Sequence, residues 1–325
     1  MDLSRRAILQ CAAGITALPT LSQMAWGQAY PNRPVRIVVG FPAGGGVDLI
    51  ARLVGQFLSE RLGQPFITEN RPGAAATIAT EAVLKAPPDG YSLLLFTSSA
   101  FTSATLYDKL NFNFVRDTAP VSLIAHSPLV MVVHPSFPAT SVREFIAHAK
   151  AHPGDINFGS SGNGSSIHVS GELFRTMAGI NMVHVPYRGA APALIDLLAG
   201  RMQVMFVGAG GAVEYIRTGK LRALAVTTAS RSEVLPGVPT VGEFVPGYEA
   251  SLWNGFVAAK GTPPGIVERL NNQIRAAAAD PNIKAHLIDE GSTPYASSPA
   301  ELEGLIAQET EKWRKVIQAS NIKPE

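Results

Sequence analysis

Apolar positions along this chain change period repeatedly, from short unbroken runs to stretches with apolar residues three and four apart. Residues 35–41 form an unbroken run and predict a buried strand. Over 47–62, Ile50, Leu53, Val54, Phe57 and Leu58 recur on one face, which predicts a helix ended by Gly63. A short strand at 66–69, a helix at 74–85 and a strand at 92–97 follow. Strands at 121–124 and 129–133 flank a break at His126-Ser127-Pro128. A second series then runs helix 142–151, strand 156–159, helix 165–178, strand 182–186, helix 190–198, strand 204–207, short helix 213–217 and strand 221–227. The tail holds a strand at 252–258 and helices near 264–279, 281–290 and 299–319, with Pro263-Pro264 and Pro299 at helix starts, where proline is tolerated.

Alternating strands and helices imply an α/β protein with mixed, mainly parallel sheets flanked by helices. Two such series imply two domains. The expected division is residues 30–125 with 228–325 as domain 1 and 126–227 inserted as domain 2. The length of 325 residues allows two cores, and 46% apolar with 16% charged residues argues for a compact globular chain. Formal net charge is only +2 and no run of like charge occurs, so nucleic acid is not an expected partner.

Residues 1–29 read as a signal peptide. Arg5-Arg6 supplies a positive start, a mildly apolar run follows, and Gly27-Gln28-Ala29 is a small-x-small cleavage site. The arginine pair fits a twin-arginine signal and a general secretory leader alike. Cys11, the single cysteine, lies inside this leader, so the mature chain would have no disulfide. No later stretch is long and apolar enough to span a membrane. The expected product is exported, soluble and periplasmic.

Ligands of open α/β sheets bind at the carboxyl ends of strands. Three loops there stand out. The first carries Phe41, Ala43, Gly44, Gly45, Gly46 and Asp48; the second Ser160, Ser161, Asn163, Gly164, Ser165 and His168; the third Tyr187, Arg188, Gly189 and Ala190. Each precedes a helix, whose start offers unpaired N–H groups and partial positive charge. Such a loop holds an anion without a basic side chain. No lysine follows Gly46, so a nucleotide phosphate loop is disfavoured and a carboxylate is the anion expected. One loop of this kind is equally a tight turn; two rich in Gly and Ser, in different halves of the chain, favour a ligand site. Hydrogen bonds to a charged group contribute about 1.5–3 kcal/mol each. Four approach the ~8 kcal/mol of micromolar binding.

Other features carry less. A Ser161–His168 pair lacks the G-x-S-x-G elbow, because Asn163 takes the last glycine's place. The histidines show no metal spacing, and neither a metal nor a cofactor is expected. Gly208-Ala209-Gly210-Gly211 does not complete G-x-G-x-x-G, since Val213 stands where the last glycine belongs. Asp48 reads as a first-turn helix acid, or as a partner for an ammonium group. Trp253 reads as a core residue.

Taken together, these motifs resemble the Bug-type periplasmic solute-binding proteins of tripartite tricarboxylate transport. The resemblance covers nearly the whole mature chain. It rests on Tyr30-Pro31-x-Arg33-Pro34, Phe41-Pro42-Ala43-Gly44-Gly45 with Asp48 and Arg52, and Glu69-Asn70-Arg71-Pro72-Gly73-Ala74. Pro88-Asp89-Gly90-Tyr91, Ser161-Gly162-Asn163-Gly164-Ser165 with His168, and His184-Val185-Pro186-Tyr187-Arg188-Gly189 follow in order. It implies a two-domain, type II-like Venus flytrap, acting as a monomer, that closes on a small organic carboxylate and hands it to integral-membrane permease subunits without covalent chemistry. It adds Thr97, Ser98, Val207 and Gly208 to the expected pocket wall. Two departures matter. Gly73-Ala74-Ala75-Ala76-Thr77-Ile78-Ala79 replaces a glycine-richer family pattern, and Val207-Gly208-Ala209 stands where members often carry an Asp. The second points to a less polar distal end of the ligand. Two rival readings remain: a sensor module that shares the fold, and an exported enzyme acting on a carboxylate.

Overall fold

The computed structural model describes residues 30–73, 76–107 and 110–323. The leader expected over 1–29 lies outside them, as do Ala74 and Ala75 of the helix expected over 74–85. The chain opens with β1 (Val35–Val39), α1 (Gly46–Leu62), β2 (Phe66–Asn70), α2 (Thr77–Leu84) and β3 (Ser92–Thr97). β1 lies between β2 and β3 and is parallel to both. Gly63, at φ 73°, caps α1 in the left-handed conformation that a glycine adopts without strain.

Two helices follow where the sequence predicts none, α3 (Ser99–Leu106) and α4 (Phe114–Asp117). The α3 segment is rich in Ser and Thr, which compete with helix by bonding the backbone. Here that habit is harmless: Thr102 and Ser103 hydroxyls donate to the Ser99 and Ala100 carbonyls at 3.0 and 3.1 Å. Burial then stabilises the helix, with Phe101 fully enclosed and edge-on to Phe96 and Phe114.

β4 runs unbroken over Thr118–Val133. This corrects the expected break at His126-Ser127-Pro128. Residues 118–128 pair antiparallel with β9 (Ser251–Ala259), and residues 129–133 pair with β7 (Val204–Gly208) and β8 (Arg222–Val226). Pro128 falls where one ladder ends and the next begins, so its missing N–H interrupts neither. One strand therefore belongs to both lobes. The chain crosses back after β8, where Thr227 Oγ1 accepts from the Leu129 N–H at 2.9 Å and donates to the Ala250 carbonyl at 2.6 Å.

The second lobe holds α5 (Val142–Ala151), β5 (Asn157–Ser160), α6 (Ser166–Ala178), β6 (Val183–Pro186), α7 (Ala190–Leu198) and α8 (Ala209–Arg217). β5 is parallel to β6 and β7. The combined strand order is β2-β1-β3-β9-β4-β7-β5-β6. Residues 129–133 of β4 are all buried, as a central strand covered on both faces requires. α9 (Pro264–Ala279), α10 (Pro281–Asp289), β10 (Thr293–Pro294) and α11 (Pro299–Ala319) return to the first lobe. α11 also spans the two lobes, burying Leu302, Ile306, Trp313 and Ile317 on one face against α3, β4 and α6.

Two glycines let the lobes approach closely. Leu106 sits on the bare Cα of Gly164, where a Cβ would collide with Leu106 Cδ1. Gly210 of α8 packs on the backbone of Glu290 and Gly291; a Cβ there would lie 2.5 Å from the Glu290 carbonyl oxygen. Gly210→Val is expected to push the lobes apart. Small-angle scattering should report a larger radius of gyration than for the parent protein, and an unchanged radius would show that this contact does not set the lobe spacing.

Candidate functional site

The carboxyl ends of β1, β3 and β5 and the start of β9 open onto one cavity of about 790 Å³ between the lobes. Its first-lobe wall comprises Phe41 and Val47, the α3 stripe Ser99, Thr102, Ser103 and Leu106 with Thr97, Ser98 and Tyr107, and Leu252 and Asn254 of β9. The second-lobe wall comprises residues 161–167, Gly189 and Ala190. Among the described residues, no Asp, Glu, Lys, Arg or His lines it. α1, α3, α6 and α7 all begin at its edge. A second depression, about 560 Å³, lies along α9 and α10 beside Glu233 and Lys284, and brings none of these loops together.

Of the expected site residues, Phe41, Thr97, Ser98, Ser161, Asn163, Gly164, Ser165, Gly189 and Ala190 face the cavity. Ala43, Gly44, Gly45 and Gly46 are exposed outside its lining, and so is Arg188. Tyr187 turns away, its hydroxyl bonding Asp196 Oδ2 at 2.8 Å. Val207 is buried and Gly208 half-buried, and neither reaches the wall. Val47, Ser99, Gly162, Ser166 and Ile167 lie within the expected loops, and the residues that sequence reasoning missed are Thr102, Ser103, Leu106, Tyr107, Leu252 and Asn254. A signal existed for some of them: 102, 103 and 106 share helical spacing with 99, and 252 and 254 have strand spacing. Trp253, between the latter two, points away and packs with His126 and Tyr295.

Three expected residues act from behind the wall. Asp48 is 2% exposed. Its Oδ2 accepts from the Gly44 N–H at 2.8 Å and from Arg52 Nε at 2.9 Å, and its Oδ1 accepts from Asn70 Nδ2 at 2.9 Å. The same Asn70 nitrogen donates to the Phe41 carbonyl at 3.0 Å. The Arg52 bond, aided by Gly44 and Asn70, holds the Asp48 carboxyl down to about 2, so it is an anion with every oxygen engaged. Ser160 is fully buried and bonds His184 Nε2 at 2.6 Å. His168 stacks on His184 with ring centroids 3.5 Å apart, and its Nδ1 accepts from the Gly164 N–H at 3.0 Å. The histidine therefore grips the glycine loop rather than Ser161.

These contacts use up the loop amides. Gly44 and Gly164 give their N–H groups to Asp48 and His168, Gly162 to Ser160 Oγ at 3.1 Å, and Gly189 to the Tyr187 carbonyl at 2.9 Å. In α6 the His168 N–H is capped by Ser165 Oγ. The donors left over are the first-turn amides of the helices, such as those of Ser166, Ile167, Ala190 and Ala191, which have no intrahelical partner. The glycines shape the wall, and the helix starts supply its positive potential.

A chain of this architecture can be placed by its relatives. Residues 50–322 match the family model of the tripartite tricarboxylate transporter family receptor. This chain belongs to that family. It is 38% identical over 299 residues to the protein BugT of Bordetella pertussis, covering 90% of this chain and 91% of BugT. It is also similar to the structure of R. palustris Rpa4515 with adipate, at 36% identity and a TM-score of 0.78, covering 91% of this chain and all of that one. MatC (Rpa3494) from Rhodopseudomonas palustris with bound malate aligns at 31% identity and a TM-score of 0.75, over 89% of this chain and 100% of MatC. The receptor fold is thus that of two-lobed solute-binding proteins. Among the described residues of this receptor no group of three or more His, Cys, Asp or Glu side chains could hold a metal ion, and no helix is long and apolar enough to cross a membrane.

Burial, with His184 and Arg175 nearby, lowers the His168 pKa to about 3 from its ordinary 6.5. The folded state keeps this ring neutral, and the unfolded state binds the proton below pH 6.5. Its contribution to stability is therefore complete above pH 6.5 and is lost as pH falls toward 3. Burial lowers the His126 pKa as well, so it also contributes to the loss of stability below pH 6.5. His168→Asn keeps an acceptor for Gly164 and removes the titration. Its thermal midpoint should change less between pH 6.5 and 4.5 than that of the parent protein. An identical slope would mean that His168 does not titrate on unfolding.

Proposed function

We propose that this receptor is a periplasmic solute-binding protein that takes up a small organic carboxylate in the cleft between its lobes. It delivers the ligand unchanged to the membrane permease of a tripartite tricarboxylate-type transporter. One observation carries the reading: helix N-termini from both lobes converge on a cavity that no charged side chain of the described residues lines. A wall that presents helix-start amides and hydroxyls among apolar side chains, positive in potential and without charged side chains among the described residues, suits a carboxylate better than a cation or a phosphate dianion. Donors from both sides also give the ligand more contacts when the lobes are together, so binding favours the closed arrangement. The adipate and malate bound to the R. palustris relatives are ligands of this chemistry. Nothing in the wall resembles a nucleophile with a base: Ser160, the serine bonded to a histidine, is fully enclosed.

A thermal-shift screen of carboxylic acids tests the proposal. An acid present at 100 times its dissociation constant should stabilise the protein by about 2.7 kcal/mol and be recovered chemically intact. Failure of every acid to shift the midpoint, or conversion of the one that does, would sink it. Ser166→Asp gives a sharper check. An acid in the first turn of α6 favours the helix by about 0.3–1 kcal/mol, so folding should be retained. The same charge opposes the ligand, and affinity should fall at least tenfold, to be measured by calorimetry.

A further inference from the structure

We propose that the ligand of this cleft is a monocarboxylate with an apolar body, and that Asn254 is the side-chain donor that anchors its acid group. The inference rests on the carboxylate reading above and narrows it. Asn254 lines the cavity, is only 8% exposed, and its side-chain amide has no hydrogen-bond partner among the described residues. Its amide is thus held at the cavity wall with its hydrogen-bonding capacity free for a ligand.

Its surroundings define one polar pole. Asn254 stands opposite Thr97 in the β3–β9 ladder, at the carboxyl end of β3 and beside the first turn of α3. Thr97 Oγ1 and Ser99 Oγ lie 2.8 Å apart; one donates to the other, which leaves a single hydroxyl proton for a ligand. Ser98 is already engaged, accepting from the Trp253 N–H at 2.6 Å and reaching the Ser251 carbonyl at 3.4 Å. The pole therefore offers the Asn254 amide, one hydroxyl proton and the α3 N-terminus, which matches one acid group.

Polarity falls away from that point. α3 runs roughly 10 Å from Ser99 to Leu106 along the wall. One turn in, the Thr102 and Ser103 hydroxyl protons are spent on the backbone, so these residues present lone pairs, which repel a carboxylate. Beyond them come Leu106 and Tyr107, and Val47, Ile167 and Leu252 add further apolar surface, while the polar side chains of the opposite wall are Ser161, Asn163, Ser165 and Ser166. Among the described residues the lining holds no cation, and Arg188 is exposed outside it. Along this first-lobe stretch a second carboxylate would lose its water with no counter-charge among those residues. An alkyl or aromatic tail gains from the same surface.

Calorimetry on the mature chain with two matched pairs tests this: octanoate against suberate, and benzoate against terephthalate. Within each pair only the second acid group differs. The monoacid of at least one pair is expected to bind tenfold or more tightly than its diacid. Asn254→Ala should weaken that monoacid at least tenfold, Asn254→Ser should restore part of the loss, and Asn254→Asp should abolish binding. A preferred diacid, or undiminished binding by Asn254→Ala, overturns the inference. If none of the four acids binds while adipate or malate does, the ligand class is wrong and the carboxylate site stands. If none of the six binds, the carboxylate reading falls with it.

Discussion

A helix begins with amides that no residue of its own can satisfy, and the organisation of this protein follows from where those amides are placed. Four helices start around one gap between two lobes. The loops leading into them are closed by internal acceptors: Asp48 for Gly44, Ser160 for Gly162, and His168 for Gly164. These bonds fix the loops without occupying the first-turn donors. On the proposed reading the wall attracts an anion chiefly through oriented dipoles, and a dipole already held in place needs little reorganisation when a ligand arrives.

The support behind the wall explains why charged and titratable residues sit so near a cavity that no charged side chain of the described residues lines. Asp48 is ionised and buried, a costly combination unless each oxygen is paired. Arg52, Asn70 and the Gly44 amide meet that requirement, and Asn70 extends the network to the Phe41 carbonyl at the cavity edge. His168 solves the parallel problem in the other lobe as a neutral ring, accepting one amide and stacking on His184. Each lobe thus carries its own rigid anchor for the loop it contributes.

Between the lobes the connection is of a different kind. β4 passes through both ladders, and Thr227 ties the outgoing and returning segments together through Leu129 and Ala250. A continuous strand resists separation of the lobes yet can twist where its partner changes, at Pro128 and Leu129. α11 spans both sides, and the glycine contacts at Gly164 and Gly210 allow backbones to approach without side chains between them.

Local pattern alone determined much of this protein. The apolar run at 35–41, the helical face from Ile50 to Leu58 and the prolines at helix starts specified α/β alternation, because period and capping are properties of neighbouring residues. Motif order from Tyr30-Pro31 to Gly189 was enough to expect the receptor family, and the strand-to-helix loops marked the region of the cleft. What local pattern left open was which side of each loop faces the ligand. Asp48 and His168 look like ligand residues until their partners Arg52, Asn70 and Gly164 are brought to them, and Asn254 looks like an ordinary strand residue until β9 pairs with β3. α3 is a poor helix by composition, and only the burial of Phe101 between Phe96 and Phe114 decides its form. Whether β4 breaks at Pro128 likewise depends on which strands lie beside it. These outcomes rest on contacts between residues far apart in the chain, and such contacts exist only once the tertiary structure has formed.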